Sequence, residues 1–200
     1  MSITPNLLND ELLNLDNWSE IGGGEGDYYL VGNKLYIEGD RQLLCLLATA
    51  GLQVTIEFKV DPLTTVLYEE PDGDCIQILF LLGTKMAIIR IWSDVWGYIT
   101  SGGTFVSLGA SDLNETTYRI EQDASVPRFR IYKNNTLIQE VTDYSANVFG
   151  DIGNQVGFII GTLGYGEDID TYFCPNLKAG DGLGDFGGAP ASKKVMILKN

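Results

Sequence analysis

Hydrophobic and polar residues alternate along most of the chain with the two-residue period of β-strands. The alternation is clearest over residues 53–60, where the even-numbered positions are apolar and the odd-numbered ones are polar. Asp61-Pro62 ends this segment, because proline has no amide hydrogen to donate to a sheet. Weak helical periodicity occurs only in the first fifteen residues. The pattern therefore predicts strands and turns from Trp18 onward.

A tight turn is predicted at Asn134-Asn135, because asparagine tolerates the positive φ that a two-residue hairpin requires. The strands around this turn and the segment 117–123 place basic residues on the solvent side, namely Arg119, Arg128, Arg130 and Lys133. We expect these residues to pair across the strands with acidic ones, namely Glu121, Asp123 and Glu140. A site for an anion or a partner is the alternative.

Two neighbouring segments, 75–82 and 85–92, are apolar on nearly both faces and are joined by Gly83-Thr84. A strand of this kind is covered on both sides in a folded protein. The cover is either another part of the same chain or a second subunit.

About a dozen short strands with turn signals at intervals of roughly 8–12 residues predict an all-β, antiparallel two-sheet sandwich. We divide the chain into an N-terminal segment (1–15), the sandwich domain (16–180) and a glycine-rich linker with a strand-like arm (181–200). Five glycines within 180–188 favour a flexible linker, and the apolar segment 195–198 follows it. We expect this arm to dock on a neighbouring subunit or another protein; a return to its own sheet or a frayed end is the alternative.

The order of these segments resembles the concanavalin A-like jelly-roll sandwich of legume-type lectins, laminin G-like modules and some glucanases. QVTIEFKVDP (53–62) looks like the early long strand of that fold, and TTYRIEQD (116–123) with RFRIYKNNTLI (128–138) looks like its middle hairpin. VGFIIGTLG (156–164) and DIDTYFCPNLKAGD (168–181) look like its closing strands. The resemblance implies two curved sheets and, in members that bind glycans, a sugar or calcium site on the concave face or at the loop rim.

Charge and composition limit the partners of the chain. It has 27 acidic and 13 basic residues, a formal net charge of −14, and no histidine. We therefore expect neither nucleic acid nor an anionic membrane as a partner, because both repel a polyanion. Without histidine, Ser-His-Asp and Cys-His catalysis and His-ligated zinc are excluded.

The N-terminal region carries neither a basic residue nor a long apolar stretch, so we expect no signal peptide. The longest apolar runs are too short to span a bilayer, and we expect no membrane insertion. Cys45, Cys75 and Cys174 are odd in number and widely spaced, which favours buried thiols over a disulfide.

Glucanases of the concanavalin A-like fold carry the pattern Glu-x-Asp-x-Glu on one strand, and retaining glycosidases need two carboxylates about 5.5 Å apart. This chain has Glu167, Asp168 and Asp170 without a third acid at the right step. The acidic stretch 69–74 contains a proline and is predicted to be a loop. We therefore predict that the protein is not an enzyme.

Three aromatic residues form a candidate glycan-binding surface. Trp92, Trp96 and Tyr98 share parity and would line one face if the strand continued through 93–95. Flat aromatic rings stack on the apolar faces of sugar rings. Packing of Trp92 in the core is the alternative. Tyr165 lies between two glycines, and we expect it at an exposed loop tip as a further glycan contact.

Asp72 and Asp74 are two residues apart in a glycine-containing turn, a spacing that can supply oxygen ligands to Ca²⁺. A plain surface turn is the alternative. We expect no other cofactor.

These observations favour a non-enzymatic interaction protein. We expect a surface component of a phage or other virion (a decoration, fibre or tail protein) that is made in the host cytoplasm and uses the sandwich for assembly or glycan attachment. Its expected partners are other virion proteins or further copies of itself, together with glycans. A free carbohydrate-binding module or lectin is the first alternative, and a glycoside hydrolase or lyase is the second.

Overall fold

A computed structural model defines the fold. The structure describes residues 2, 4–5, 7–10, 16, 18–21, 28–31, 34–37, 42–48, 51, 53–62, 75–92, 94–111, 116–123, 125–126, 128–142, 145–146, 155–163 and 171–186. Within these ranges, no helix has the length and apolar character needed to cross a lipid bilayer.

The described residues form sixteen β-strands. In chain order the strands are β1 (Leu8–Asp10), β2 (Ser19–Ile21), β3 (Tyr28–Val31), β4 (Lys34–Ile37), β5 (Gln42–Ala48), β6 (Gln53–Pro62), β7 (Cys75–Leu82), β8 (Lys85–Ile91), β9 (Val95–Ile99), β10 (Phe105–Ala110), β11 (Thr116–Asp123), β12 (Arg128–Lys133), β13 (Thr136–Val141), β14 (Ser145–Ala146), β15 (Gln155–Leu163) and β16 (Thr171–Asp181).

The strands form two eight-stranded sheets. The front sheet has the order β13-β12-β11-β6-β16-β4-β3, with β1 also paired to β16. The back sheet has the order β10-β9-β8-β7-β15-β5-β2, with β14 also paired to β8. All strand pairs within the two sheets are antiparallel, and β15 and β16 each insert beside strands from the first half of the chain. The predicted all-β, two-sheet antiparallel sandwich is confirmed.

The inner faces of both sheets form one apolar core. The alternation predicted for β6 is confirmed, since Val54, Ile56, Phe58 and Val60 are all buried in this core. Phe58 of the front sheet lies 5.8 Å from the ring of Phe80 in the back sheet and 5.6 Å from that of Tyr118. Aromatic contacts of this kind hold the two sheets together, because each ring removes a large apolar area from water.

The hairpin between β12 and β13 has the predicted turn. Asn134 and Asn135 have φ angles of 48° and 63°. Both lie in the left-handed region that a two-residue hairpin needs to match the twist of its strands. The turn pairs Lys133 with Thr136 and Tyr132 with Leu137, and a register shift between Ile131 and Tyr132 then places Arg130 opposite Glu140.

Strand β7 is covered on both of its faces. All eight of its residues are buried, and Leu79 and Leu81 join Met86 and Ile159 in a second apolar cluster on the outer face of the back sheet. The burial is complete within one chain. Cover by the same chain, the first of the two predicted explanations, therefore accounts for these apolar strands, and a second subunit is not needed for it.

The end of β16 leads into a short segment that lies against β6. Gly182 donates its amide hydrogen to the carbonyl of Gln53 (2.8 Å), and the hydroxyl of Thr55 donates to the carbonyl of Gly182 (2.8 Å). Phe186 is buried. Residues 181–186, which the sequence assigns to the linker, are thus in contact with the sandwich, and residues 187–200 lie outside the described residues.

Two of the predicted thiols can be placed. Cys45 and Cys75 are buried and belong to no disulfide, as the sequence predicts for them. The Cys174 side chain lies outside the described part of the structure.

Candidate functional site

The predicted aromatic surface is divided between the two faces of the back sheet. The chain reverses between Trp92 and Val95, where the amide of Trp92 donates to the carbonyl of Val95 (2.8 Å) and Ile91 pairs with Trp96. Residues opposite each other across a tight hairpin point to the same side of the sheet. Even- and odd-numbered residues therefore exchange sides at this turn. Trp92 is consequently on the outer side with Val95, and Trp96 is on the core side with Ile91.

Neither indole ring has a face open to a ligand. Trp92 and Trp96 are 2% and 1% exposed. Trp92 packs edge-on against Phe105 with 4.9 Å between the ring centroids, and Trp96 packs against Tyr118 at 5.1 Å. Tyr98 is half-buried and lies 6.1 Å from Phe129. Packing thus accounts for both tryptophans, because the hairpin turns their rings into apolar surroundings.

The other predicted site residues cannot be placed. Tyr165 and the pair Asp72 and Asp74 lie outside the described residues, and so does the acidic set 167–170. Their predicted roles in glycan and calcium binding stay predictions. Among the residues that the structure does describe, no group of three or more acidic or cysteine side chains could hold a metal ion.

The structure instead places a band of polar side chains on the outer face of the front sheet. Strand register aligns them in three rows across β16, β6, β11, β12 and β13. We call this set the charged band; its rows are Lys178, Glu57, Arg119 and Tyr132; then Thr55, Glu121, Arg130 and Glu140; then Gln53, Asp123 and Arg128.

Charges of opposite sign are neighbours within the rows. Arg130 Nε lies 2.7 Å from Glu140 Oε2, and Arg128 lies 3.9 Å from Asp123. The predicted pairing of basic and acidic residues across the strands is confirmed for these residues. Lys133 is different: its Nζ lies 5.7 Å from the ring centroid of Trp96, so it covers the edge of the core and the prediction that it faces solvent is wrong.

The centre of the band is a cluster of three side chains, of which Arg119 and Glu121 are buried and Tyr132 is half-buried. The Tyr132 hydroxyl donates to Glu121 Oε2 (2.9 Å), and the Arg119 guanidinium lies 3.9 Å from the centroid of the Tyr132 ring. Arg119 Nε is 3.5 Å from Glu121 Oε1, and its Nη1 donates to Asn135 (3.0 Å). Burial, with the hydrogen bond to Glu121, raises the pKa of Tyr132, so its hydroxyl remains a donor at neutral pH.

Asp123 has a structural role at one end of the band. Its Oδ1 accepts hydrogen bonds from the amides of Ser125 (3.1 Å) and Val126 (3.3 Å), and its Oδ2 accepts one from Gln53 (3.0 Å). Burial alone would raise the pKa of this carboxyl, but the hydrogen bonds, first those from the Ser125 and Gln53 side chains, outweigh it and lower the pKa. Asp123 therefore stays ionised and holds the turn after β11.

Glu57 is a half-buried carboxylate on β6. Burial raises the pKa of its carboxyl above the ordinary value, and Asp185 raises it further, while Lys178, Arg119 and Lys59 oppose the shift. The Lys178 Nζ is 4.0 Å from Glu57 Oε1. Since Glu57 faces Arg119 in the strand register, it is the diagonal neighbour of Glu121 on the next strand.

The band becomes more exposed toward β13. Arg128 and Arg130 are each 27% exposed and Glu140 is 42% exposed. The hydrogen bond from Arg130 lowers the pKa of Glu140, and the same bond raises the pKa of Arg130. Glu140 and Arg130 therefore stay ionised at neutral pH, and both are within reach of a ligand.

Sequence analysis identified the arginines of this band but not Glu57, Lys178, Thr55 or Tyr132. The signal for two of them was present, because Thr55 and Glu57 are polar positions on the alternating segment 53–60. What the sequence lacks is the register that places β6 between β11 and β16, strands distant in the chain.

Comparison with known proteins identifies the fold. No protein-family model matches the sequence, and no curated protein matches it significantly. Similar solved structures include a sialidase (12% identity, TM-score 0.59), the alginate lyase AlgAT5 of polysaccharide lyase family 7 (13%, 0.57) and the carbohydrate recognition domain of Emp46p (11%, 0.58). The concanavalin A-like lectin and glucanase sandwich predicted from the sequence is confirmed.

The extent of these matches differs between the three proteins. The match to the sialidase covers 84% of this chain and 17% of the sialidase. The match to the lyase covers 91% of this chain and 100% of the lyase, and the match to the Emp46p domain covers 92% of this chain and 99% of that domain. The chain thus spans less than a fifth of the sialidase. Identities of 11–13% establish a shared fold and assign no activity.

The prediction that the protein is not an enzyme has to be corrected. Two of these three structures are named as enzymes, a sialidase and an alginate lyase. The lack of histidine and of a Glu-x-Asp-x-Glu strand excludes particular mechanisms, but this fold also carries catalytic sites of other construction.

Proposed function

We propose that the protein binds carbohydrate and that the charged band is its binding surface. The observation that carries the proposal is the band itself: rows of carboxylate, guanidinium and hydroxyl groups in register across the middle of a sheet face. The fold similarity to the Emp46p carbohydrate recognition domain supports the proposal.

The groups of the band suit a saccharide. Sugar hydroxyls both donate and accept hydrogen bonds, so carboxylates such as Glu140 can accept from them and guanidinium groups such as Arg130 can donate to them. Cross-strand pairs hold these side chains in position before a ligand arrives. Less side-chain entropy is then lost on binding, which favours affinity.

Chemical-shift mapping tests the location of the site. A glycan array identifies ligands, and each is titrated into ¹⁵N-labelled protein. We expect the perturbed amides to lie in β6, β11, β12 and β13. No binding to any glycan, or perturbations confined to the back sheet, would overturn the proposal.

A matched pair of variants adds a steric test. Thr117 points to the same face as the band and is half-buried beside Lys59, whereas Ser107 is exposed on the back sheet. T117W places a bulky ring beside the band, so we expect it to weaken glycan binding. S107W is the control, and we expect it to bind like the unchanged protein. Equal affinities of the two variants would count against the charged band.

Glycan cleavage is a second candidate, which Glu57 favours. Burial raises the pKa of the Glu57 carboxyl, which is the direction a general acid needs, and Glu121 lies diagonally across the strands. Release of reducing ends from a panel of polysaccharides tests it. We expect E57Q to abolish turnover while leaving glycan binding intact; no product from any polysaccharide would exclude this candidate.

We propose a virion surface as the setting, with this chain as a decoration, fibre or tail component. The apolar segment 195–198 between lysines supports the proposal, because a strand-like segment can pair with a strand of another chain. Neighbouring genes for capsid and tail proteins, and co-sedimentation of the protein with particles, are the expected findings. Absence of both would contradict this setting.

A further inference from the structure

A row of three tyrosines crosses one edge of the front sheet. Tyr29 on β3 pairs with Tyr36 on β4, and Tyr36 pairs with Tyr172 on β16. Tyr172 in turn pairs with Asp61 near the end of β6. The three tyrosines therefore hold one register row on three adjacent strands, and we call them the tyrosine row.

The tyrosine row lies on the same face of the sheet as the charged band. Val60 of β6 is buried in the core, so the next residue, Asp61, and the residues in register with it occupy the outer face. Tyr28 packs against the core, which separately places Tyr29 on the outer face. Glu57 of the charged band is an odd-numbered residue of β6, like Asp61, so the two sets of residues share one face.

The position of Tyr29 suits contact with a sugar. It is 38% exposed, and core packing does not explain an aromatic residue there, because the outer face points away from the core. A tyrosine ring stacks on the apolar face of a sugar, and its hydroxyl exchanges hydrogen bonds with sugar hydroxyls. Neighbouring strands are about 4.8 Å apart, which is close to the length of one residue in an extended glycan. Tyrosines on successive strands therefore suit a linear chain of sugars.

The distance between the tyrosine row and the charged band sets the length of the ligand. Asp61 is four residues from Glu57 along β6, and Tyr29 lies three strands away from β6. Strand geometry converts this offset into about 20 Å between Glu57 and Tyr29. A single sugar or a disaccharide cannot reach both positions, whereas a chain of several sugar residues can.

On the proposed function, we infer that the tyrosine row is a stacking subsite and that the ligand is a linear, extended glycan of about four or more sugar residues. Sugar rings stack along the tyrosine row at one end of this chain. At the other end, sugar hydroxyls form hydrogen bonds with the charged band. Affinity should therefore depend on the number of sugars in the chain.

A series of chain lengths tests the inference. Oligosaccharides of two, four and six residues from cellulose, chitin and β-1,4-mannan are titrated into the full chain by isothermal titration calorimetry. We expect at least one series to bind with an affinity that rises steeply from dimer to hexamer, because only the longer chains reach the tyrosine row. The hexamer should also perturb the ¹⁵N amides of Tyr29, Tyr36 and Tyr172 in addition to those of the charged band.

A matched set of variants tests the ring of Tyr29. Y29A removes the ring, and we expect the ratio of hexamer to dimer affinity to fall about tenfold, the loss expected for one stacked aromatic ring and its buried apolar area. Y29F keeps the ring and should keep most of this ratio. L30A is the control, because Leu30 is similarly exposed (43%) on the same strand but belongs to the opposite side of the sheet. Thermal unfolding of each variant checks that it is folded.

An affinity that does not change with chain length would overturn this inference and leave carbohydrate binding at the charged band standing. Equal reductions of the ratio by Y29A and L30A would do the same, and so would array glycans that perturb the charged band when none of the three series binds. If no array glycan and no member of the three series binds, the proposed function and this inference fail together.

Discussion

The two sheets share one core, but their outer faces differ in chemistry: the back sheet carries an apolar cluster and the front sheet carries charged side chains. On the back sheet, Leu79, Leu81, Met86 and Ile159 form a buried apolar cluster. On the front sheet, the charged band occupies the outward-facing positions of the strands. The chain therefore uses the outer face of the back sheet as a second small core and leaves polar groups on the face of the front sheet.

The apolar contacts of the back sheet and the exposed ion pairs of the front sheet also differ in how much they stabilise the fold. Burying an aliphatic side chain stabilises a fold by about 1.5–3 kcal/mol, whereas an exposed ion pair contributes about 0–1 kcal/mol. Stability therefore explains the apolar cluster but not the exposed ion pairs at Arg128, Arg130 and Glu140. This difference is why we assign recognition to the front sheet.

Breaking the buried centre of the charged band should have the largest effect on stability. E121A leaves Arg119 buried without its carboxylate partner and removes the acceptor of the Tyr132 hydroxyl. We expect a loss of about 3–5 kcal/mol in the free energy of unfolding, measured by urea denaturation. The exposed pair is the comparison: E140A should cost far less, and equal losses would show that the centre of the band is not distinct from its edge.

The apolar outer face is tested by truncation. Ile159 is fully buried in the second cluster, and I159A should lower the free energy of unfolding by about 2–5 kcal/mol, because it leaves a cavity. Leu137 on β13 is 50% exposed, and L137A should change the free energy of unfolding by less than about 0.5 kcal/mol. A small loss for I159A in urea denaturation would contradict the role of this cluster as a second core.

Replacing each of two buried glutamines by leucine should change the stability of the protein in opposite directions. Gln122 on β11 is 3% exposed, and neither Nε2 nor Oε1 of its side chain has a hydrogen-bond partner among the described residues. Q122L should therefore stabilise the protein by about 1–3 kcal/mol. Gln77 on β7 accepts a hydrogen bond from Arg90 Nε (3.1 Å), so Q77L should destabilise it. Thermal unfolding measures both, and a Q122L variant with a lower Tm would refute the first expectation.

A smaller effect is expected from pH. Because burial raises the pKa of Glu57 above 4.5 in the folded state, the folded protein binds this proton more tightly than the unfolded chain. Stability from Glu57 is therefore present below the unfolded pKa and is lost as pH rises through the folded one. E57Q should be more stable than the unchanged protein at pH 7, and this gain should shrink at pH 4.

Asp123 provides the opposite case, because its pKa is lowered in the folded state. Its stabilising contribution is present above the unfolded pKa and is lost as pH falls through the folded one. D123N should therefore lose stability at pH 7, and the difference from the unchanged protein should narrow in acid. Urea denaturation at both pH values measures the two variants, and parallel pH profiles for E57Q and D123N would contradict the assignment.

Local features of the fold could be predicted from the sequence alone. The alternation over 53–60, the turn at Asn134-Asn135 and the pairing of Arg130 with Glu140 each depend on residues close together in the chain. The concanavalin A-like order of segments could also be predicted, because the sequence shows the turn residues and the lengths of the alternating segments. The alternation and the turn follow from the period of a strand and from backbone geometry, whereas the pairing of Arg130 with Glu140 also depends on the register shift between Ile131 and Tyr132.

Only the tertiary structure decided which faces and which distant residues come together. The hairpin between β8 and β9 places Trp92 and Trp96 on opposite faces of the back sheet, because odd- and even-numbered residues exchange faces where the chain turns back. The rows of the charged band depend on β16 and β11 pairing with β6, and their residues are tens of positions apart in the chain. No turn joins these strands directly, so their register is fixed only when their apolar faces pack into the core.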